Sequence, residues 1–309
     1  MKNLMQHLDD YLRLRRQLGY KMQDAGILLR SFVRFAEQEG AAVIKTEMAL
    51  RWAVKPDIKP SQSGCRLGMV RRFATYVSAY DARTEVPAQK LLPYRLRRRE
   101  PCHYSDEHVR QLIKAAGQID PSGQIKGPTL RTLFGLLAVT GMRVGEALAL
   151  DCPDVDLQEG LLNIRIAKGG KERVVPLHSS TVDALQRYVA IRDSVFPQRT
   201  SPGFFVWDGG DRLGYDSVNR WFLLVACQVG LRRPGDRRGP RVHDLRHYFA
   251  VRTLRNWYQS NVDVEAHLPE LATYLGHVHV RDSYWYLSAV PELLKLATLR
   301  WERAEKGAV

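Results

Sequence analysis

The run from Pro93 to Pro101 carries Arg95, Arg97, Arg98 and Arg99 with few apolar side chains between them. A stretch like this cannot enter a hydrophobic core, so the 309-residue chain must build two separate cores on either side of it. The expected layout is a helical domain over 1–93, a basic linker over 94–101 and a larger domain over 102–309 ending in a helical tail.

The first domain reads as four amphipathic helices. Leu4, Leu8, Tyr11, Leu12 and Leu14 begin a stripe that stops near Gly19. A second stripe, Asp24 to Gln38, repeats Ile27, Leu28, Phe32, Phe35 and Ala36 at helical intervals. A third runs from Glu47 to Val54 and breaks at Lys55-Pro56; a fourth, Ser63 to Tyr80, carries Leu67, Val70, Phe73, Ala74 and Val77. Residues 1–93 hold 16 basic and 9 acidic side chains, half of the chain's formal charge of +14. An excess of this kind attracts polyanions by releasing the counterions of a phosphate backbone, which favours a clamp that faces nucleic acid. The arginines of the linker would cross the same backbone.

In the second domain Ser105 is placed to cap a helix reaching Ala116, and Thr129 to Thr140 forms an apolar helix before Gly141. Leu161 to Ile166 and Arg173 to Pro176 read as two strands joined around Gly169-Gly170. Helices follow at Thr181 to Ile191, Tyr215 to Val229, His243 to Trp257, Leu271 to Leu275 and from Pro291 to about Arg303. The fold class is therefore mainly α with a small antiparallel β-sheet. Four widely spaced cysteines fit neither a zinc cluster nor a disulfide scaffold and are expected as buried free thiols. No apolar run of about 18 residues and no signal-peptide pattern occurs, which points to a cytoplasmic protein that does not enter membranes.

The chemistry-bearing residues are cations and one tyrosine. Arg143, just after Gly141, can hold two phosphate oxygens at once, as an ammonium cannot. Lys168, before the glycine pair, can protonate a departing sugar oxygen; Lys171 competes for that position, and Lys171 and Arg173 can also place charge on DNA. His243 and Arg246 are three apart and share a helix face. His247 completes an i,i+4 histidine pair, but the glutamate of a zinc helix is missing and no metal is expected. His277 follows a glycine helix stop, with His279 as a bystander. Tyr286 lies beside Tyr284 and Trp285. A phenol with a pKa of about 10 attacks poorly unless an electropositive pocket stabilises its oxyanion. Asp151, Asp154 and Asp156, around Pro153, read as a solvated turn.

The ordered set resembles the tyrosine recombinases, the phage-integrase family. TGMRVGE at 140–146 matches the family's T-G-x-R-x-x-E, and AKGGKERVVPL at 167–177 matches its lysine hairpin, with alanine for the first glycine. HDLRH at 243–247 matches the H-x-x-R-H box, LGH at 275–277 supplies a histidine, and a tyrosine follows nine residues later within Tyr-Trp-Tyr rather than the commoner Thr-x-x-Tyr. The resemblance implies a helical core-binding domain and an α+β catalytic domain. It implies that Arg143 and Arg246 clamp a phosphate assisted by His277, that Lys168 is the general acid, that His243 aids proton transfer and that Tyr286 is the nucleophile. Double-stranded DNA with specific recombination sites, a homotetramer on paired sites and no cofactor are implied with it. A type IB topoisomerase and a non-catalytic DNA-binding regulator are the competing readings.

Overall fold

The computed structural model describes residues 2–93, 102–120, 124–165, 172–236, 239–260, 262–288, 293–295 and 297–298. The chain divides into two compact units, residues 1–99 and 100–309. Arg95, Arg97, Arg98, Arg99, Lys168 and Lys171 lie outside the described residues, as does most of the tail expected from Pro291.

The first unit is four helices: α1 (Leu4–Gln17), α2 (Gln23–Gln38), α3 (Thr46–Ala53) and α4 (Pro60–Ser78). Local chemistry sets their ends. The Asn3 side chain accepts from the Gln6 N–H (2.8 Å) while Gln6 accepts from the Asn3 N–H (2.9 Å), so two otherwise unpaired donors at the start of α1 are satisfied. Pro60 opens α4 at a position where no N–H is needed. Leu8, Leu12, Leu29, Phe32, Val33, Val70 and Phe73 fill the core, with Phe32 edge-on to Trp52 at 5.3 Å. Two expected stripe members face outward instead: Ile27 is 71% exposed and Leu14 42%. At about 100° per residue, Ile27 sits roughly 200° around α2 from Leu29, so only one of them can face the core.

The second unit begins with α5 (Asp106–Ala116), capped by Ser105, whose hydroxyl accepts from the His108 N–H at 3.1 Å. Next come α6 (Lys126–Thr140), α7 (Val144–Ala149) and a three-stranded antiparallel sheet in the order β1 (Val155–Asp156), β2 (Leu161–Ile164), β3 (Arg173–Pro176). Leu162 pairs with both Val155 and Val175, and Leu162, Ile164 and Val175 turn inward. Then follow α8 (Ser179–Val195), α9 (Tyr215–Gln228), α10 (Asp244–Gln259), α11 (Val264–Leu275) and α12 (Arg281–Ser288). Buried on most of its circumference, α6 packs against α5, α8 and α10 and sets Phe134 edge-on to Phe222 at 5.3 Å. α10 serves two cores. Leu245 and Tyr248 join the main one, whereas Ala250 and Leu254 join a second with Leu268, Leu271, Leu275 and Tyr286.

Two expectations change. The expected solvated turn is in part closed: Asp154 is buried and Asp151 half-buried, and both carboxylates accept from Arg165 (2.9 and 2.7 Å), with Arg212 also on Asp151. The cysteines are free, as expected, but half-buried rather than buried. No helix of the described residues is long and apolar enough to cross a membrane.

Phe134→Ala empties a fully buried ring site and is expected to cost the second unit about 3–5 kcal/mol. The measurement is a lower urea midpoint at unchanged slope. A loss under about 1 kcal/mol would show that this ring does not hold α6 against α9.

Candidate active site

Two glycine helix stops shape the site. α6 ends at Gly141 with φ +61, where an added Cβ would collide with the Phe249 ring, and α11 ends at Gly276 with φ +67. Between these ends sits Arg246, buried on the first turn of α10. It donates to the Gly141 carbonyl at 2.9 Å and to the Leu275 carbonyl at 2.7 Å. Helix C-termini carry unpaired carbonyls and partial negative charge, so each is a natural seat for a guanidinium. Burial pushes the Arg246 pKa down to about 10, while the neighbouring Tyr286 and Glu146 favour its charged form. It remains a cation at neutral pH.

Arg143 follows from the same turn. It caps α7, its N–H donating to Glu146 Oε2 at 3.0 Å and its guanidinium to Glu146 Oε1 at 2.7 Å and the Gly276 carbonyl at 2.8 Å. Arg173, on β3, grips the other side of the same carboxylate at 2.7 and 3.2 Å and donates through Nε to the Tyr274 carbonyl at 2.9 Å. Burial alone would raise the Glu146 pKa, yet the bonds from Arg173 and then Arg143 outweigh it and hold the carboxyl below its ordinary value. Gly276 lets this network close up, since a Cβ there would stand 2.9 Å from the Arg173 guanidinium and 3.4 Å from that of Arg143.

Tyr286 faces these cations from α12. It is 4% exposed, whereas Tyr284 on the same helix is 49% exposed. Rings hold Tyr286 on two sides: His277 stacks on it at 6.0 Å, and His247 meets it edge-on at 5.4 Å. The buried Ser283 hydroxyl sits 2.7 Å from His277 Nδ1 and fixes that ring. His243 adjoins His247 at 5.1 Å and keeps an exposed face. Partial desolvation and then the charge of Arg246 lower its pKa, so it is neutral near pH 7.

The fold thus gathers Arg143, His243, Arg246, His277 and Tyr286 around one cationic cup. Arg173, expected at a DNA backbone, instead has its guanidinium committed to Glu146 and a main-chain carbonyl. Three contributors lie outside the expected site residues: Glu146, His247 (read in the sequence as half of a histidine pair lacking the glutamate of a zinc helix) and Ser283. Glu146 and His247 stand inside the TGMRVGE and HDLRH motifs, which was the available signal; Ser283 carried none. Guanidiniums and imidazoles gathered around a buried phenol can stabilise the charge of a pentacoordinate phosphate and of the phenolate that attacks it.

The Phage integrase family model matches residues 104–292. The chain is 42% identical over 308 residues to y4rB of Sinorhizobium fredii, described as an integrase/recombinase, covering 98% of each chain. It is 30% identical to the tyrosine recombinase XerA of Thermococcus onnurineus, over 84% of this chain and 83% of that one. A solved structure of the XerH site-specific recombinase, bound to its palindromic difH substrate after cleavage, has the same fold: TM-score 0.65 at 20% identity, covering 90% of this chain and 78% of that one.

The His247 pKa is pushed down to about 3, first by burial and then by the charges of His243, Arg241 and Arg246. An unfolded histidine titrates near about 6.5, so below that pH the unfolded chain takes up the proton first. The stability contributed by neutral His247 is complete above about pH 6.5 and is lost as pH falls toward about 3. His247→Phe should therefore flatten the decline of melting temperature between about pH 6 and 4 relative to the parent chain. An identical decline in both would contradict this.

Proposed function

The chain belongs to the phage integrase family of tyrosine recombinases, and from that membership we propose that it cleaves and rejoins DNA at specific sites through Tyr286. The observation that carries the reading is the buried Tyr286, set beside Arg246 and held by His247 and His277 in the cup that also holds Arg143.

A backbone phosphate enters the cup with its non-bridging oxygens on Arg143 and Arg246, and His277 supports the charge that builds on them. The Tyr286 oxygen forms a bond to phosphorus as its proton departs, with neutral His243 aiding that transfer. The bond from phosphorus to the 5′-oxygen breaks, and Lys168 supplies the proton that leaves a free 5′-hydroxyl. The product is a 3′-phosphotyrosyl link. Attack by a 5′-hydroxyl of the partner duplex reverses these steps and releases Tyr286. One phosphodiester replaces another, so no energy source is consumed. Two protomers on each of two duplexes, a homotetramer, would exchange one strand pair to form a Holliday junction and then the other pair to resolve it. The kinship to integrase/recombinases suits integration, excision or transposition of a mobile element. The basic linker arginines and Lys171 would hold the DNA backbone, which fits the charge of the chain. Removing one phosphate donor, as in Arg246→Ala, should cost about 10²–10³ in cleavage rate.

The deciding experiment incubates the protein with a pool of nicked duplexes of randomised sequence and selects those that become covalently attached. The parent chain and Tyr284→Phe should both yield adducts, with the attached peptide containing Tyr286. Tyr286→Phe should bind the selected duplex in a mobility shift but form no adduct. Adducts from Tyr286→Phe, or none from the parent, would overturn the reading.

A further inference from the structure

We propose that Arg173 is a positioning residue that keeps Glu146 from neutralising Arg143, and so preserves a free positive charge for the scissile phosphate. This rests on the phosphate-binding role of Arg143 proposed above.

The geometry is a three-body ion cluster. Glu146 is buried with its side chain 3% exposed and presents two oxygens to two guanidiniums. Arg173 takes Oε2 at 2.7 Å and shares Oε1 at 3.2 Å, while Arg143 reaches only Oε1 with its side chain, at 2.7 Å. The cluster carries two positive charges and one negative, leaving a net +1. Exposure shows where that charge is available: the Arg173 side chain is 12% exposed and Arg143 23%. Arg143 uses one donor on Glu146 and one on the Gly276 carbonyl, leaving three of its five N–H groups for a ligand.

Without Arg173 the balance changes. A buried carboxylate needs a counter-charge, and Arg143 would be the adjacent one. The planar fork of an arginine matches both oxygens of a carboxylate, so Arg143 would be drawn into a bidentate pair of net charge zero. The Gly276 carbonyl would lose its donor, and the phosphate would meet a spent cation. Arg173 blocks that pairing by holding Oε2. Its Nε bond to the Tyr274 carbonyl fixes it beside the turn that carries Gly276 and His277. The two residues lie 27 apart in sequence, on β3 and α7.

This predicts suppression rather than addition. On the duplex selected above, Arg173→Met should slow single-turnover cleavage at least about tenfold while changing DNA affinity less than about twofold. Glu146→Gln in the same chain removes the charge that quenches Arg143, so the double variant should recover most of the lost rate. Arg173→Lys, which keeps a positive charge on Glu146 but loses the fork and the Tyr274 bond, should be clearly less impaired than Arg173→Met. Losing its main partner raises the Glu146 pKa, so cleavage by Arg173→Met should improve on acidification over a range where the parent's does not. If Arg173→Met does not fold, the double and lysine variants still decide. A double variant or a lysine variant as impaired as the loss of Arg143 would overturn the proposal, and so would a loss of DNA affinity in step with cleavage. Absence of any adduct from the parent chain would instead sink the recombinase reading itself.

Discussion

The active corner depends on one buried charge. Arg246 has almost no access to water, and a guanidinium in that position is stable only if protein dipoles replace its hydration. The replacement comes from the ends of α6 and α11, whose terminal carbonyls at Gly141 and Leu275 point at it. Arg246 thereby fastens two helices far apart in sequence, and the turn after each of them delivers site residues. Arg143 follows Gly141, and His277 follows Gly276. The cation that would bind phosphate is also the bolt that sets the spacing between its neighbours.

A second layer supports the first. Glu146 and Arg173 link α7, β3 and the end of α11 through one carboxylate and one carbonyl, and Gly276 is the close-approach point that lets them meet. The histidine rings do a different task. They carry no charge near neutral pH as far as His243 and His247 are concerned, so they can crowd the phenol without adding to the cost of burying Arg246. Charge is concentrated on guanidiniums, which hold their protons when desolvated, and shape is supplied by groups that give theirs up.

Much of this was legible in the sequence because it is local. The four stripes of residues 4–80 and the helix after Ser105 follow from periodicity and capping, and the structure places those helices within a few residues of the expected bounds. Likewise the five cup residues Arg143, His243, Arg246, His277 and Tyr286 sit in short motifs whose spacing survives folding. What could not be read depends on contacts made over long separations. Arg173 is one charge in a basic hairpin until β3 brings it to Glu146. Asp151 and Asp154 flank a proline like any solvated loop until Arg165 and Arg212 close on them. Ile27 matches helical spacing as well as Leu29 does, and only the positions of α1, α3 and α4 decide which of the two is covered.

Tyr286 belongs at once to the second core, with Leu271 and Leu275, and to the polar cup. A hydroxyl lodged in a core is wetted only if its helix loosens, and loosening α12 also takes the ring away from His247 and His277. Shelter and alignment are lost together. The same packing that makes the oxygen hard to reach also keeps it beside the guanidiniums.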